Sequence, residues 1–93
     1  MTDARDVVIV GGGIVGTATA WHLARRGLSV TLVEGERIGW GASGRNIGYI
    51  WLHTRRSGVE LELARPTRAA LEELPGELDA DIGLRTEGSL IAF

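Results

Sequence analysis

Ninety-three residues suffice for one small domain, which buries roughly 60% or more of its unfolded chain's surface. The formal net charge of −2 gives no reason to expect nucleic acid or an acidic membrane surface as partner. The absence of cysteine excludes disulfides, thiolate metal sites and cysteine nucleophiles.

Val7 to Val10 is a short unbroken apolar run, the pattern of a strand covered on both faces in a parallel sheet. Gly11-Gly12-Gly13 follows at once. Ile14 to Arg26, rich in Ala and Leu, then predicts a helix, with Gly27 placed as the residue just past its end, where positive φ is common. Ser29 to Val33 is a second β-branched run and ends at Glu34. These segments form a βαβ unit of about 30 residues. Gly35 to Gly48 is expected to be irregular, with at most a short helical start. Gly58 to Leu74 predicts a second helix, with Leu61, Leu63, Ala64, Ala70, Leu71 and Leu74 available for burial. Pro66 should kink or interrupt it by lacking the N–H that bonds back to Glu62, and Pro75-Gly76 reads as a stop. Ile82 to Thr86 and Ser89 to Phe93 are strand candidates joined by a turn at Glu87-Gly88.

No stretch approaches the roughly 20 apolar residues that span a bilayer. Residues 1–6 lack the basic and then apolar pattern of a secretion signal, so a cytoplasmic location is the default expectation. The second strand candidate runs up to the last residue, and a parallel sheet of two strands would leave apolar edges unpaired. The expectation is therefore the front part of a larger protein, inactive on its own.

Gly11-x-Gly13-x-x-Gly16 lies between a predicted strand and a predicted helix, the context that gives this otherwise weak motif its meaning. Gly11 permits a tight turn, Gly13 lets a pyrophosphate approach the backbone, and Gly16 lets helix and strand pack closely. The N–H groups around Ile14 and Val15, at the positive end of the helix dipole, would face the diphosphate. Glu34, at the end of the second strand, is placed to accept hydrogen bonds from a ribose 2′-hydroxyl, and its charge would repel a 2′-phosphate. Ala20, one helical turn from Gly16, agrees with close packing. The ligand should be FAD or NAD rather than NADP, and spacing within the βαβ unit does not separate those two.

"VVIVGGGIVGTATAWHLARRGLSVTLVE" followed by "GASGRNIG", with the later "DIGLRTEGSLIAF", resembles the N-terminal part of the D-amino-acid oxidase-like FAD-dependent oxidoreductases, the group of glycine oxidase, sarcosine oxidase and amino-acid dehydrogenases. The resemblance implies a Rossmann-like FAD-binding unit over residues 1–56. It also implies, over 57–93, a helix and first hairpin leading into an incomplete substrate domain. It implies oxidation of the carbon–nitrogen bond of an amino acid or amine by hydride transfer to flavin, with the gripping groups for the substrate carboxylate in later segments. The loop after the ribose-binding acid would return beneath the flavin, placing Gly41, Ala42, Ser43, Arg45, Asn46, Ile47 and Gly48 at the cofactor. Ser43 can donate to a phosphate oxygen and Arg45 can offset the diphosphate's charge, while Asn46 could offer its amide to the ribityl chain or ring edge. Two departures stand out. Ile47 sits where many relatives have glycine, and Arg45 falls where some carry a histidine bonded to the flavin, so FAD held through this segment would be non-covalent.

Other side chains carry weaker signals. His22 lies inside the first helix as a surface or packing residue, and His53 is a lone titratable group without a visible partner. Tyr49, Trp51, Arg55 and Arg56 could line a substrate approach. Glu60, Glu62, Glu72, Glu73 and Glu77 read as a solvated helix face. No metal-ligand cluster and no nucleophile–base pair is present. Two further readings stay open: a nucleotide-binding accessory subunit that completes its sheet with a partner chain, and part of an NAD-dependent dehydrogenase.

Overall fold

A computed structural model describes residues 4–92. The chain divides into two compact units, one ending at Gly48 and the other starting at Tyr49.

In the first unit, β1 (Val7–Val10) is followed by α1 (Ile14–Arg25) and β2 (Val30–Val33). The strands pair in parallel, Val7 opposite Val30 through Val10 opposite Val33. The return from α1 to β2 is made by Gly27 at φ 85°. There the N–H of Leu28 reaches back to the carbonyl of Leu23 at 3.3 Å, so the left-handed residue satisfies carbonyls that the helix end would orphan. Gly16, Thr17, Ala20, Trp21 and Leu23 are the half-buried residues of α1, a face at helical spacing.

Coverage of both strand faces, expected from the unbroken apolar run, is not realised. Burial alternates along β1, and Val8 and Val10 remain 60% and 86% exposed. One helix shields one face of a sheet, and the opposite face needs a second layer. Accordingly, no hydrophobic residue is fully buried among the described residues.

The strand entrances are tied together by side chains. The Asp6 carboxylate accepts from both the backbone N–H and the hydroxyl of Ser29, each at 2.8 Å. The Asp6 N–H in turn donates to the Ser29 carbonyl at 3.1 Å. The Ser29 N–H first, and its hydroxyl second, hold the Asp6 carboxyl below its ordinary pKa.

The segment after β2 is irregular apart from a one-turn 3-10 helix at Ala42–Gly44. In the second unit, α2 (Val59–Leu78) is longer than the sequence predicts. Pro66 does not interrupt it and Pro75-Gly76 does not stop it. A proline removes one backbone donor and leaves the remaining ladder available, and the Thr67 hydroxyl bonds the Leu63 carbonyl at 2.7 Å beside Pro66. Asp79 ends the helix in the left-handed region at φ 49°, with the Ala80 N–H on the Pro75 carbonyl at 3.1 Å. Leu61, Ala64, Arg68, Leu71 and Leu74 form its half-buried stripe, whereas Leu63 and Ala70 face solvent.

No strand forms between residues 81 and 92, so the expected hairpin is not made there; Phe93 lies outside the described residues. Gly83 and Gly88 take positive φ, and the Asp81 carboxylate turns back onto the Gly83 N–H at 2.8 Å. A two-stranded ribbon with no third strand has little to hold it.

Candidate functional site

The site is built where β1 hands over to α1. Gly11 takes φ 108°, a conformation that disfavours any residue with a Cβ, and its N–H bonds the Val33 carbonyl at 2.8 Å. Gly16 is required for a different reason. A Cβ there would lie 1.9 Å from the Gly11 carbonyl oxygen, so the helix packs against the turn at backbone distance. At Gly13 a Cβ would meet the Ser43 hydroxyl at 3.0 Å.

Glu34 is held by the backbone that its strand delivers it to. One carboxylate oxygen accepts the Gly12 N–H at 2.7 Å and the other accepts the Glu36 N–H at 3.0 Å. The Glu36 N–H foremost, then those of Gly12 and Gly35, keep this carboxyl below its ordinary pKa. Each oxygen retains acceptor capacity, since a carboxylate offers about four lone-pair positions.

The Gly35 to Gly48 segment folds back onto the same place. The Gly39 N–H donates to the Gly12 carbonyl at 2.9 Å. Ser43 closes the approach from the other side, its hydroxyl oxygen accepting the Ile14 N–H at 2.8 Å. Ser43 thereby supplies the cap that Gly13 lacks, and its hydroxyl hydrogen stays available for donation. The 3-10 turn is as tight as the helix contact, because a Cβ on Gly44 would lie 2.1 Å from the Gly39 carbonyl oxygen. The Arg45 N–H closes the turn on the Ala42 carbonyl at 3.2 Å.

Asn46 works inside this loop. Its amide nitrogen donates to the carbonyls of Ala42 and Ser43 at 3.1 and 2.9 Å, and its oxygen accepts the Gly48 N–H at 2.8 Å. With both amide hydrogens used, the side chain straps the loop in this conformation. Ile47 is 82% exposed, an apolar side chain on the loop surface.

These features fit a dinucleotide. Among the described residues nothing accepts from the N–H groups of Gly13, Val15 or Gly16, and the first turn of α1 carries no acidic residue. Three unpaired donors at a helix N-terminus favour a diphosphate, and a fixed carboxylate beside them suits a ribose diol. Gly12 is the residue that motif spacing overlooks: a Cβ there would lie 2.5 Å from the Ile38 side chain and 3.1 Å from the Glu34 carboxylate. The run of three glycines is the signal for it. Arg37 and Trp40 also go unmarked by any motif, yet both join this loop by stacking.

In the second unit, Trp51 stacks on His53 at 4.9 Å between centroids, and His53 Nδ1 shares a hydrogen bond with the Ser89 hydroxyl at 3.1 Å. Tyr49, Trp51, Leu52, Arg55, Leu63 and Thr67 line an open groove, within which Arg55 pairs with Glu60 at 3.6 Å. His22 packs edge-on to Trp21 on the surface of α1. No group of acidic or histidine side chains that would hold a metal ion occurs among the described residues. No helix there is long and apolar enough to cross a membrane.

The sequence has relatives among known proteins. The chain is 32% identical to glycine oxidase of Bacillus licheniformis, over 98% of this chain and 26% of the relative. It is 39% identical to human mitochondrial sarcosine dehydrogenase, over 92% of this chain and 9% of the relative. To an opine oxidase subunit of Rhizobium meliloti it is 32% identical, over 90% of this chain and 24% of the relative. The chain thus spans about a quarter or less of the length of these relatives. No solved structure matches it. The model of one family, described as FAD dependent oxidoreductase, matches residues 6–93, and the chain belongs to that family of FAD-dependent enzymes.

Proposed function

We propose that this chain is the FAD-binding N-terminal part of an oxidoreductase acting on the carbon–nitrogen bond of amino acids or amines. The observation that carries this reading is the convergence of three segments on one helix start. Gly12 meets Glu34, Ile14 meets Ser43, and three backbone donors remain open between them. When bound, FAD supplies the two-electron chemistry that accepts a hydride equivalent from the substrate.

The chain's own residues bind and orient. Glu34 accepts from the adenosine ribose, its carboxylate already fixed by the N–H groups of Gly12 and Glu36. Gly13, Val15 and Gly16 offer N–H groups to the diphosphate, and Ile14 reaches it through Ser43, which accepts from that N–H and donates its own hydrogen to a phosphate oxygen. Arg45 balances the charge. Gly41 and Ala42, with little or no side chain, permit close approach of the cofactor to the backbone, while Ile47 and Gly48 lie on the flavin side. No residue of this segment provides a histidyl link, so the flavin is held non-covalently. The relatives named for glycine, sarcosine and opine support an amino-acid or amine substrate, gripped by parts of the protein outside these residues. A cytoplasmic location belongs to the same reading.

The test is an absorbance scan of the purified protein, where oxidised flavin gives a band at about 450 nm and NAD does not. Release of that band into the supernatant on acid precipitation is the expected result. Flavin remaining with the pellet would overturn non-covalent binding, and no uptake of added FAD would overturn the cofactor assignment itself.

A second reading is favoured by the open strand face. Val8, Val10 and Val33, at 60%, 86% and 49% exposure, call for covering strands or helices, and a partner chain would serve as well as the same polypeptide. Size-exclusion chromatography with mass spectrometry distinguishes them by the presence of a stoichiometric second chain.

A further inference from the structure

Trp40 holds two arginines. The Arg37 guanidinium carbon lies 4.1 Å from the centre of the indole and that of Arg45 lies 4.6 Å from it. Both approaches are built into backbone turns. The Trp40 N–H donates to the Arg37 carbonyl at 3.1 Å, closing a turn in which Gly39 takes φ 73°. Arg45 follows the 3-10 turn whose end its own N–H closes. The same loop is anchored to the phosphate-facing backbone twice, by Gly39 on Gly12 and by Ser43 on Ile14.

Each guanidinium is attracted to the indole face, yet two like charges gathered on one ring repel each other. Among the described residues neither Arg37 nor Arg45 forms an ion pair with a carboxylate. The cluster therefore concentrates positive charge on a loop that is tied twice to the backbone bearing the three unpaired donors, and a dianion is the complement it lacks. Stacking also removes rotamer freedom before any ligand arrives, which lowers the ordering cost of binding.

We propose that Trp40 is a positioning residue that presents Arg37 and Arg45 together to the cofactor diphosphate, with Arg37 as a second cationic contact. The proposal rests on the FAD assignment made above.

The experiment measures FAD affinity of the purified protein by calorimetric titration for wild type, Trp40→Leu, Trp40→Phe, Arg37→Gln and Arg45→Gln. It then repeats Trp40→Leu in an Arg37→Gln/Arg45→Gln background. Trp40→Leu is expected to weaken FAD about fivefold, Trp40→Phe to recover most of that, and each Arg→Gln change to cost several-fold. In the double-Gln background Trp40→Leu should cost less than about twofold, because its effect runs through the arginines. An equal cost in both backgrounds would mean that Trp40 merely supports the loop, and the proposal would fall. If Trp40→Leu does not fold, the arginine variants decide: Arg37→Gln with wild-type affinity overturns the proposal. Wild type that binds no FAD removes the cofactor assignment and this inference together. Wild type that binds FAD beside an indifferent Trp40→Leu removes only this one.

Discussion

The two units are held together differently. In the first, side-chain hydrogen bonds join residues far apart in sequence: Asp6 with Ser29, Gly12 with Glu34, and Ile14 with Ser43, separations of 23, 22 and 29 positions. In the second, side-chain bonds such as Thr67 to Leu63 and Arg55 to Trp51 stay within four positions, while Ser89 with His53 reaches across 36. The first unit thus fixes the position of backbone donors from several directions at once. The second presents a helix and an extended tail whose geometry is set locally. A ligand site made of backbone N–H groups needs the former, because no side-chain rotation can repair a misplaced amide.

The largest test of this contrast is a methyl group added in the first unit. Gly16→Ala places a Cβ 1.9 Å from the Gly11 carbonyl oxygen, a backbone atom that cannot turn aside. It should cost about 3 kcal/mol by overpacking and abolish FAD uptake, read from chemical denaturation and the flavin band. A protein that keeps both would show that α1 tolerates displacement from β1.

Glu34 comes next in size. Glu34→Gln keeps the shape but loses the charge that two N–H groups stabilise, and FAD affinity should fall about tenfold. The pH dependence has a definite sign. A carboxyl whose folded pKa is lowered favours the folded state above its unfolded value, ordinarily 4.5 for Glu34 and 3.8 for Asp6. That contribution is lost as pH falls through the lowered folded values. Acid titration of stability should therefore steepen below about pH 4, and Asp6→Asn should flatten that slope while leaving FAD binding at neutral pH intact.

What sequence reading captures follows the same division. The β-branched runs, the glycine spacing and Glu34 specify the βαβ unit because each element there has its own local signature and all agree. The 3-10 turn falls within the segment expected to be irregular. Ser43 stands out in the sequence as a hydroxyl in a glycine-rich loop, but not as the cap of Ile14, since a contact across 29 positions leaves no mark in local pattern. The internal strap formed by Asn46 is hidden for another reason: an amide suits a ligand and a loop carbonyl equally well. Pro75-Gly76 misleads because its two residues are each poor in a helix interior, while the carbonyls they leave are taken up by the left-handed turn at Asp79. The sequence of residues 82–93 supplies two short strand candidates and a turn at Glu87-Gly88, and these alone cannot provide the further strand that a two-stranded ribbon needs.

Ser43→Ala measures the loop tie itself. It removes an acceptor from a helix N-terminus, costing about 1 kcal/mol of stability, and takes away the hydroxyl expected at the phosphate. Stability and FAD affinity should therefore fall together. Loss of affinity with stability unchanged would mean that the Ile14 N–H finds water equally good.

The smallest effect has the opposite sign. Gly76 sits within α2, with nothing inside 4 Å of the place its Cβ would occupy. Its φ is not among the positive values, so alanine fits the backbone as it stands. Gly76→Ala restricts the unfolded chain and raises helix propensity, and should stabilise the protein by about 0.5–1 kcal/mol with FAD affinity unchanged. The same glycine-to-alanine exchange then separates the units by sign, harmful where the backbone is packed against backbone at Gly16 and favourable where the helix is set locally at Gly76. A destabilising Gly76→Ala would mean that this end of α2 packs at backbone distance too, and the contrast between the units would narrow accordingly.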